Sequence, residues 1–228
     1  MERIDSIVLL SGGLDSTTCL YKVISEGQKV IGLSFDYEQK HQVELGRAEK
    51  ICRLTNVEHV IMNLGFSRVG GSSLTTSDPV PKGGLDLERE TFIPSTYVPA
   101  RNLVFLSMAA ALAEAREATS IVIGANALDY SGYPDCRPDF FDSFNETLKL
   151  ATRAGREGRA MKVITPLLHL KKADIVSLAR KLGVPFEYTW SCYDPRSDGS
   201  ICRECDSCIL RAQGFKEAGV SDPLAHKA

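Results

Sequence analysis

The sequence predicts an α/β protein built on a doubly wound, mostly parallel sheet of about five strands. Short apolar runs alternate along the chain with longer segments of helical composition, which is the pattern of βαβ units. Glycines close several of these segments, as expected at turns and helix ends. A chain of 228 residues that is 43% hydrophobic is long enough for one large domain, or for a domain with a small appendage.

The first half of the chain contains two predicted βαβ units. Residues 7–10 (IVLL) form a β-type run that ends in a glycine turn, and a helix follows over residues 16–26, with Gly27 as its stop. The pattern repeats with a strand at 30–34, a helix at 43–54 and a strand at 59–62. Residues 67–94 are rich in Gly, Pro, Ser and Thr and have no clear period, which predicts a long loop.

The second half continues the alternation. Residues 102–118 are so apolar that we expect a buried helix, and a central strand follows at 121–123. A helix at 139–154, an extended segment at 161–164 and a helix at 171–182 complete the pattern. Because ligands of such sheets bind at the carboxyl ends of the strands, we expect the site near the segments that start at Ser11, Asp36 and Asn126.

Composition excludes several classes of protein. The net charge is −2, from 27 Lys and Arg against 29 Asp and Glu, without a long basic run, so charge does not drive binding to nucleic acid. The first residues carry two acids before a short apolar run, unlike a secretion signal. The longest apolar stretch, 103–113, is about half of the ~20 residues that cross a bilayer. We therefore expect a cytoplasmic chain without membrane contact.

The string SGGLDST at residues 11–17 joins the first predicted strand to the first helix. Its two glycines let backbone N–H groups approach an anion, and the helix N-terminus adds positive partial charge, which predicts a phosphate site. The string is not a Walker loop, which needs a lysine after the glycines, nor the dinucleotide fingerprint, which needs G-x-G-x-x-G. The structural alternative is a tight turn in which Asp15 or Ser16 caps the helix.

Four of the seven cysteines lie in the last 40 residues, namely Cys192, Cys202, Cys205 and Cys208. A disulfide framework is not expected in a reducing compartment. The spacing C-x9-C-x2-C-x2-C predicts one structural zinc ion, closed to substrates, that staples the C-terminal segment to the domain. An iron–sulfur cluster and free buried cysteines are the alternatives. The other three cysteines show no ligand spacing.

Residues 129–138 (DYSGYPDCRP) are too rich in Gly, Pro and polar groups for a core element. They suit a planar heterocycle with N–H groups and a carboxylate, since tyrosine can stack, aspartate can accept N–H groups and arginine can bind the acid. Asp129, Tyr133, Asp135 and Arg137 are therefore candidate substrate contacts. The alternative is an ordered turn held by an Asp–Arg pair.

The SGGLDST string resembles the PP-loop of the N-type ATP pyrophosphatases, a superfamily with an adenine nucleotide alpha hydrolase-like fold. The resemblance implies that ATP is split to AMP and pyrophosphate while an acyl or carbonyl oxygen receives AMP. It also implies that Asp15 lies near the phosphates and their Mg²⁺. The implied ATP-binding residues are Leu10, Ser11, Gly12, Gly13, Leu14, Asp15, Ser16, Thr17, Thr18, Cys19 and Leu20. For Cys19 and Leu20, the local sequence by itself indicates core.

A closer resemblance, to the 7-cyano-7-deazaguanine synthase family of queuosine and archaeosine biosynthesis, covers nearly the whole chain. Besides the PP-loop and the four cysteines, its motifs are Phe35-Asp36-Tyr37 with Gln39 and His41, Tyr97-Val98-Pro99-Ala100-Arg101-Asn102, Gly132-Tyr133-Pro134-Asp135-Cys136-Arg137-Pro138, and Thr165-Pro166-Leu167 with Lys172. One departure is Glu38, where the family usually has glycine, with Lys40 in place of its arginine.

This resemblance implies a ligase that uses ATP and Mg²⁺ to convert 7-carboxy-7-deazaguanine and ammonia to 7-cyano-7-deazaguanine through an acyl adenylate and an amide. It also implies a homodimer. Asp15, Arg101 and Lys172 are the expected catalytic residues, and the alternative for Lys172 is a solvated lysine at a helix start. We expect residues 1–185 to form the ATP pyrophosphatase domain and residues 186–228 to form a zinc-binding segment packed on it.

Two other functions use the same features. A PP-loop enzyme that adenylates a tRNA base, such as a thiolase, is disfavoured by the net charge of −2, by the lack of a catalytic cysteine pair beside the loop, and because we expect no appended RNA-binding region. A nucleotide sensor with a zinc module would bind ATP without turnover. Pyrophosphate release distinguishes the three functions. It depends on the carboxylic acid substrate in the synthase and on RNA in the thiolase, and it is absent in the sensor.

Overall fold

The computed structural model describes residues 3–39, 43–83, 93–128 and 132–225. The predicted fold class is confirmed, because five parallel strands form one sheet in these residues, with helices on both faces. The strands are β1 (Ser6–Leu9), β2 (Val30–Asp36), β3 (Glu58–Asn63), β4 (Ser120–Val122) and β5 (Lys162–Ile164). The helices are α1 (Leu14–Ser25), α2 (Val43–Thr55), α3 (Arg101–Ala115), α4 (Pro138–Ala151), α5 (Arg153–Arg156), α6 (Lys172–Lys181) and α7 (Asp206–Glu217).

The strand order is β3-β2-β1-β4-β5, with β1 in the centre. Val8 of β1 lies opposite Gly32 of β2 on one side and Val122 of β4 on the other. The chain builds the sheet outward from β1 to β3 and then returns to the far side of β1 with β4 and β5. Because ligands of such sheets bind where the direction reverses, the fold places the expected crevice beyond the carboxyl ends of β1 and β4.

Successive side chains of β1 pack into two separate cores. Ile7 and Leu9 belong to the core that includes α3 and α4, whereas Val8 and Leu10 belong to the core that includes α1, α2, α6 and α7. A strand that is buried on both faces needs apolar residues at every position. This explains why the sequence shows a continuous apolar run here rather than an alternating one.

Helix α3 is only partly buried, which corrects the expectation of a buried helix. Leu106, Ala109 and Ala113 lie in the core, but the Leu103 side chain is 44% exposed. Composition could not reveal the exposed face, because apolar residues surround the helix on all sides. No helix in the described ranges combines the length and apolar composition needed to cross a membrane.

Part of the predicted long loop, residues 84–92, lies outside the described residues. Its described parts, 67–83 and 93–94, contain no strand or α-helix, as predicted. The loop is attached to the C-terminal segment, because Lys82 Nζ lies 2.5 Å from Asp194 Oδ2 and the Gly83 N–H donates to the Glu204 carbonyl at 3.1 Å.

Helix α7 packs against α6 and was not predicted from the sequence. Its Arg211 forms a buried, bidentate ion pair with Asp222, since Nε and Nη2 donate to the two carboxylate oxygens at 2.8 and 3.0 Å. Nη1 of Arg211 also donates to the Thr189 hydroxyl at 2.9 Å. One guanidinium therefore joins three parts of the C-terminal segment.

We expect Arg211→Met to lower the free energy of unfolding by about 3–5 kcal/mol, because it leaves the Asp222 carboxylate buried without its partner. Urea denaturation measures this change. The control is Arg53→Met, which breaks an ion pair with Glu49 in which the side chains are 73% and 50% exposed, and which should change stability by less than about 0.5 kcal/mol. Similar small losses in both variants would contradict a structural role for the buried pair.

Candidate functional site

The SGGLDST string forms the turn between β1 and α1. Helix α1 begins at Leu14 and has Gly13 as its N-cap, so neither Asp15 nor Ser16 is the capping residue. The Ser16 and Thr17 hydroxyls donate back to the Gly13 carbonyl at 3.2 and 2.7 Å. N–H groups of a first helical turn have no carbonyl partner within the helix. This turn can therefore bind an anion.

Two glycines allow neighbouring elements to approach the turn closely. Gly12 has a φ of +85°, and a Cβ atom there would lie 2.4 Å from the Glu44 carbonyl oxygen of α2. A Cβ atom at Gly124, just after β4, would lie 2.9 Å from the Ser16 nitrogen. Both approaches need glycine, and together they fix the turn between α2 and β4.

Lys172, the first residue of α6, forms an ion pair with Asp15 of α1. Its Nζ donates to both carboxylate oxygens, at 3.0 and 2.8 Å. The two side chains are only 12% and 18% exposed, so water screens this pair less than a surface pair. The structure therefore does not place Lys172 in solvent. A cation and a carboxylate beside a helix N-terminus are suited to a phosphate and to its accompanying metal ion.

Arg101, the first residue of α3, is held in place by its neighbours. Ala100 before it has a φ of +54°, and such left-handed backbone costs a non-glycine residue about 1–3 kcal/mol. The Ala100 N–H donates to the Tyr97 hydroxyl at 3.0 Å, and the Asn102 N–H donates to the Asp135 carboxylate at 2.9 Å. These contacts hold the start of α3, and with it Arg101, in one position.

One cavity at the carboxyl ends of the strands brings Asp15, Arg101 and Lys172 together. Part of its wall is polar and consists of the phosphate-binding turn. Another part is aromatic, where the Phe35 and Phe105 rings stack with centroids 4.1 Å apart. The remaining aromatic and polar lining residues include Tyr37, Tyr133, Asn126, Trp190 and Tyr193. The cavity can therefore hold a phosphate chain and a planar ring at the same time.

Glu44, the second residue of α2, lines the same cavity. Burial raises the pKa of its carboxyl group to about 7, although the Arg101 charge acts to lower it. Burial also raises the pKa of the Tyr37 hydroxyl, which therefore stays protonated at neutral pH. Glu44 is thus a group in the cavity that changes its charge near pH 7.

The candidate residues of the 129–138 string lie at different places in the structure. Tyr133 lines the main cavity. Asp135 is buried beside it, with its carboxylate bonded to the N-terminus of α3. Arg137 lines a different depression of the surface, so the structure does not bring it to the main cavity. Asp129 lies outside the described residues, and so does His41.

The four predicted ligand cysteines form a compact, buried cluster. The sulfur atoms of Cys192, Cys202, Cys205 and Cys208 all lie within 4.8 Å of one another. The Cys202 and Cys208 sulfurs are 3.9 Å apart, close to the about 3.8 Å that tetrahedral geometry with about 2.3 Å metal–sulfur bonds requires. None of the described cysteines is in a disulfide. The cluster can hold a metal ion, and four sulfur ligands fit a soft, tetrahedral one.

Backbone N–H groups point at the sulfur atoms of this cluster. Those of Cys202 and Cys205 donate to the Cys192 and Cys202 sulfurs, at 3.2 and 3.3 Å. Metal ligation requires deprotonated thiols, and these N–H donors stabilise the charged sulfur that binds metal.

The cysteine segment is attached directly to the phosphate-binding turn. The Trp190 N–H donates to the Gly12 carbonyl at 2.9 Å, and the Trp190 indole N–H donates to the Cys192 carbonyl at 3.0 Å. Ser191 and Tyr193 also line the cavity. The cysteine cluster therefore supports one wall of the cavity rather than forming a separate module.

Sequence reasoning missed Glu44, Trp190 and Tyr193 as cavity residues. A signal existed for each of them. Glu44 follows the carboxyl end of β2, at the edge where the fold class predicts the ligand, and the other two flank Cys192. Their side chains could not be assigned without the sheet order, which brings β2, β1 and the cysteine segment together.

The sheet order and the glycine turn at its switch point define a doubly wound α/β protein of the nucleotide-binding class. A family profile described as "Queuosine biosynthesis protein QueC" matches residues 5–219. The chain therefore belongs to the QueC family.

Individual relatives agree with this assignment over almost their whole length. A 7-cyano-7-deazaguanine synthase of Magnetococcus marinus is 53% identical over 223 residues, covering 97% of this chain and 96% of that protein. One of Thermoplasma acidophilum is 48% identical over 227 residues, covering 100% of this chain and 94% of that protein.

A solved structure shows the same fold at low sequence identity. A 4-thiouridine synthetase, crystallised with RNA and bound ATP, aligns with a TM-score of 0.55 and 17% identity, covering 94% of this chain and 51% of that one. At this identity the likeness concerns the fold alone.

Proposed function

We propose that this chain catalyses the ATP-dependent conversion of 7-carboxy-7-deazaguanine and ammonia to 7-cyano-7-deazaguanine. It is then a ligase that forms a carbon–nitrogen bond in queuosine precursor biosynthesis. The observation that carries the proposal is one cavity in which the phosphate-binding turn, the Asp15–Lys172 pair and Arg101 face an aromatic wall. The names of the relatives supply the product, because they are 7-cyano-7-deazaguanine synthases.

The chemistry needs a good leaving group twice. A carboxylate oxygen leaves badly, so it first attacks the α-phosphorus of ATP to give an acyl adenylate and pyrophosphate. Ammonia then displaces AMP and forms the amide. The amide oxygen attacks a second ATP, and loss of this AMP gives the nitrile. Each AMP carries away one oxygen of the original carboxylate.

The residues of the cavity take roles that match this sequence of steps. The N–H groups of the turn and Lys172 bind the departing pyrophosphate. Asp15 offers carboxylate oxygens to the Mg²⁺ that accompanies ATP, which neutralises phosphate charge. Arg101 stabilises the negative charge that develops at the reacting oxygens. The turn and first helical residues, 10–20, surround the nucleotide, and the buried Cys19 acts through packing.

The heterocycle binds against the aromatic part of the wall. Tyr133 lies in the cavity and is the substrate contact that its position supports best. Asp135 acts on the substrate through α3, because its carboxylate holds the helix N-terminus that carries Arg101. Asp129 and Arg137 stay candidate contacts on the basis of the sequence alone.

A methyl group at Gly214 would collide with Lys172, since an added Cβ atom would lie 2.3 Å from Lys172 Cγ. We expect Gly214→Ala to lower kcat/KM, measured as acid-dependent pyrophosphate release, by about 10- to 100-fold because a catalytic group is displaced. The matched control is Gly46→Ala in α2, where an added Cβ atom meets nothing within 4 Å. It should keep full activity and gain about 1 kcal/mol of stability. Full activity in both variants would contradict the role of Lys172.

The metal of the cysteine cluster is proposed to be a single structural zinc ion. Four cysteine ligands close its coordination, so it holds the chain and does not activate water. We propose that residues 186–228 form a segment stapled by this ion onto the domain of residues 1–185. The Trp190–Gly12 contact supports this arrangement.

The partners are proposed to be small molecules, and the chain is proposed to act as a cytoplasmic homodimer. The homodimer rests on the resemblance to the 7-cyano-7-deazaguanine synthase family. The net charge of −2 supports small-molecule substrates over nucleic acid.

The experiment is mass spectrometry of the products after purified protein is incubated with ATP, Mg²⁺, ammonium and 7-carboxy-7-deazaguanine. We expect the nitrile together with AMP and pyrophosphate. Pyrophosphate release that needs tRNA instead of the acid would favour the tRNA-directed enzyme. ATP binding without any pyrophosphate release would favour the nucleotide sensor, and either outcome would overturn the proposal.

A further inference from the structure

We infer that the Glu44 carboxylate binds ammonium in the cavity and takes a proton from it, so that ammonia reaches the adenylated carboxyl carbon. This role rests on the proposed function. It makes Glu44 the general base of the amidation step.

The backbone fixes Glu44 relative to the phosphate-binding turn. Its carbonyl oxygen is packed so closely on Gly12 that a Cβ atom there would lie only 2.4 Å away. Its position on the second residue of α2 directs it to the cavity, whose lining includes Glu44 together with Asp15 and Lys172. The start of α2, which carries Glu44, is therefore held against the turn that would bind the nucleotide.

The other acidic groups that line the cavity are less suited than Glu44 to accept a proton. The described residues contribute two carboxylates to the cavity wall, Asp15 and Glu44. Asp15 is bonded to Lys172 through both of its oxygens. Burial raises the pKa of the Cys136 thiol, which also lines the cavity, to about 12, so this thiol is not a base at neutral pH. Glu44 is left as the proton acceptor.

The chemistry requires such a group. Ammonia in neutral water is almost wholly ammonium, whose nitrogen has no lone pair for attack. Proton transfer converts ammonium and the carboxylate to ammonia and a carboxylic acid. The nitrogen lone pair then forms the C–N bond while the C–O bond to AMP breaks, and the surplus nitrogen proton passes to solvent. A base works best when its pKa lies near the working pH, and burial raises the pKa of Glu44 to about 7.

The test compares two nucleophiles in Glu44→Gln. Hydroxylamine is uncharged at neutral pH and needs no proton acceptor before it attacks, so hydroxamate formation reports the acyl adenylate in a folded enzyme. We expect the variant to form hydroxamate from 7-carboxy-7-deazaguanine at a rate within about threefold of wild type, and to form amide and nitrile from ammonium at least about 100-fold more slowly. Glu44→Asp, which keeps the carboxylate, should recover part of the ammonium reaction.

The matched control is Glu49→Gln on the same helix, where the side chain is 50% exposed and paired with Arg53. This variant should keep both reactions at the wild-type rate. Equal loss of the hydroxylamine and ammonium reactions in Glu44→Gln would assign Glu44 to adenylation or to structure and overturn the inference. Full ammonium activity would overturn it as well. A wild-type protein that forms no hydroxamate would overturn the proposed function first, so the two failures are distinguishable.

The pH profile gives a second readout. Among the residues that the structure describes, the ionisable groups that face Glu44 are Arg101 from α3 and Tyr37 after β2, and neither changes its charge near neutral pH. Glu44 must be ionised to accept a proton, so its contribution is present above pH 7 and is lost as the pH falls through about 7. The wild type uses ammonium, whose concentration is nearly constant in this pH range, so its amidation rate should level off above pH 7. Glu44→Gln depends on free ammonia, so its rate should keep rising by about tenfold for each pH unit. A wild-type rate that rises in parallel with that of the variant would contradict the inference.

Discussion

Lys172→Met is expected to lower kcat/KM for acid-dependent pyrophosphate release by at least about 100-fold. The Lys172 ammonium lies 2.8 Å from Asp15, on the wall of the cavity that also holds the phosphate-binding turn. It is therefore placed to neutralise the pyrophosphate that leaves during adenylation. Methionine keeps a similar length and packing without the charge, so the loss measures the charge itself.

The control for this prediction is Lys181→Met, which removes an exposed lysine from the other end of α6. We expect the control to have wild-type activity and an unchanged melting temperature, whereas Lys172→Met should lose some stability because Asp15 is left without its partner. Wild-type activity in Lys172→Met would show that the lysine behaves as an ordinary residue at a helix start. The proposed phosphate role would then fail.

The largest effect on stability is expected for Cys205→Ser. Structural zinc supplies about 10–16 kcal/mol to the folding of zinc-finger peptides, and a larger domain retains part of its stability without the metal. We expect loss of the bound metal and a decrease of at least about 4 kcal/mol in the free energy of unfolding. Activity should fall as well, because Trp190 and Tyr193 of the same segment line the cavity.

Metal analysis of wild-type protein should give one zinc per chain, and Cys52→Ala provides the matched control. Cys52 is buried but lies outside the cluster, so this variant should keep its zinc and lose about 1 kcal/mol. A visible absorption band with bound iron in the wild type would favour the iron–sulfur alternative. Full stability of Cys205→Ser after complete metal removal would contradict a structural role.

The sequence predicted the alternation of strands and helices because each strand of the sheet is a short apolar run closed by a turn. It also predicted that the cysteines gather, since two successive x2 spacings place three sulfurs in one turn. The compact cluster confirms that the four cysteines can hold a metal ion. These features depend on residues close together in the chain, where local rules suffice.

The parts that were missed depend on contacts between distant residues. Helix α7 carries a buried arginine, Arg211, and a glycine, Gly214, which packs on α6. Neither residue is typical of a buried helix face, so local sequence gave no helix signal. Their partners elsewhere in the fold explain these residue types, because Arg211 pairs with Asp222 and Gly214 leaves room for Lys172.

The candidate site residues also differ in how far local sequence could place them. Asp15 and Lys172 were selected from motifs, and the fold brings them into contact across 157 positions of the chain. Arg137 was selected because it belongs to the 129–138 string. The short 3₁₀ turn Pro134–Cys136 precedes it, and its side chain lines a depression outside the main cavity. Composition indicates which groups a string offers and not the direction in which each side chain points.

Whether this chain adenylates carboxylate oxygens is tested most directly by following those oxygens. The measurement uses 7-carboxy-7-deazaguanine labelled with ¹⁸O at both carboxylate positions, with ATP, Mg²⁺ and ammonium, and mass spectrometry of the nucleotide products. The proposed function predicts two AMP for each nitrile, each carrying one ¹⁸O atom. Formation of ADP and phosphate, or of AMP without label, would contradict it.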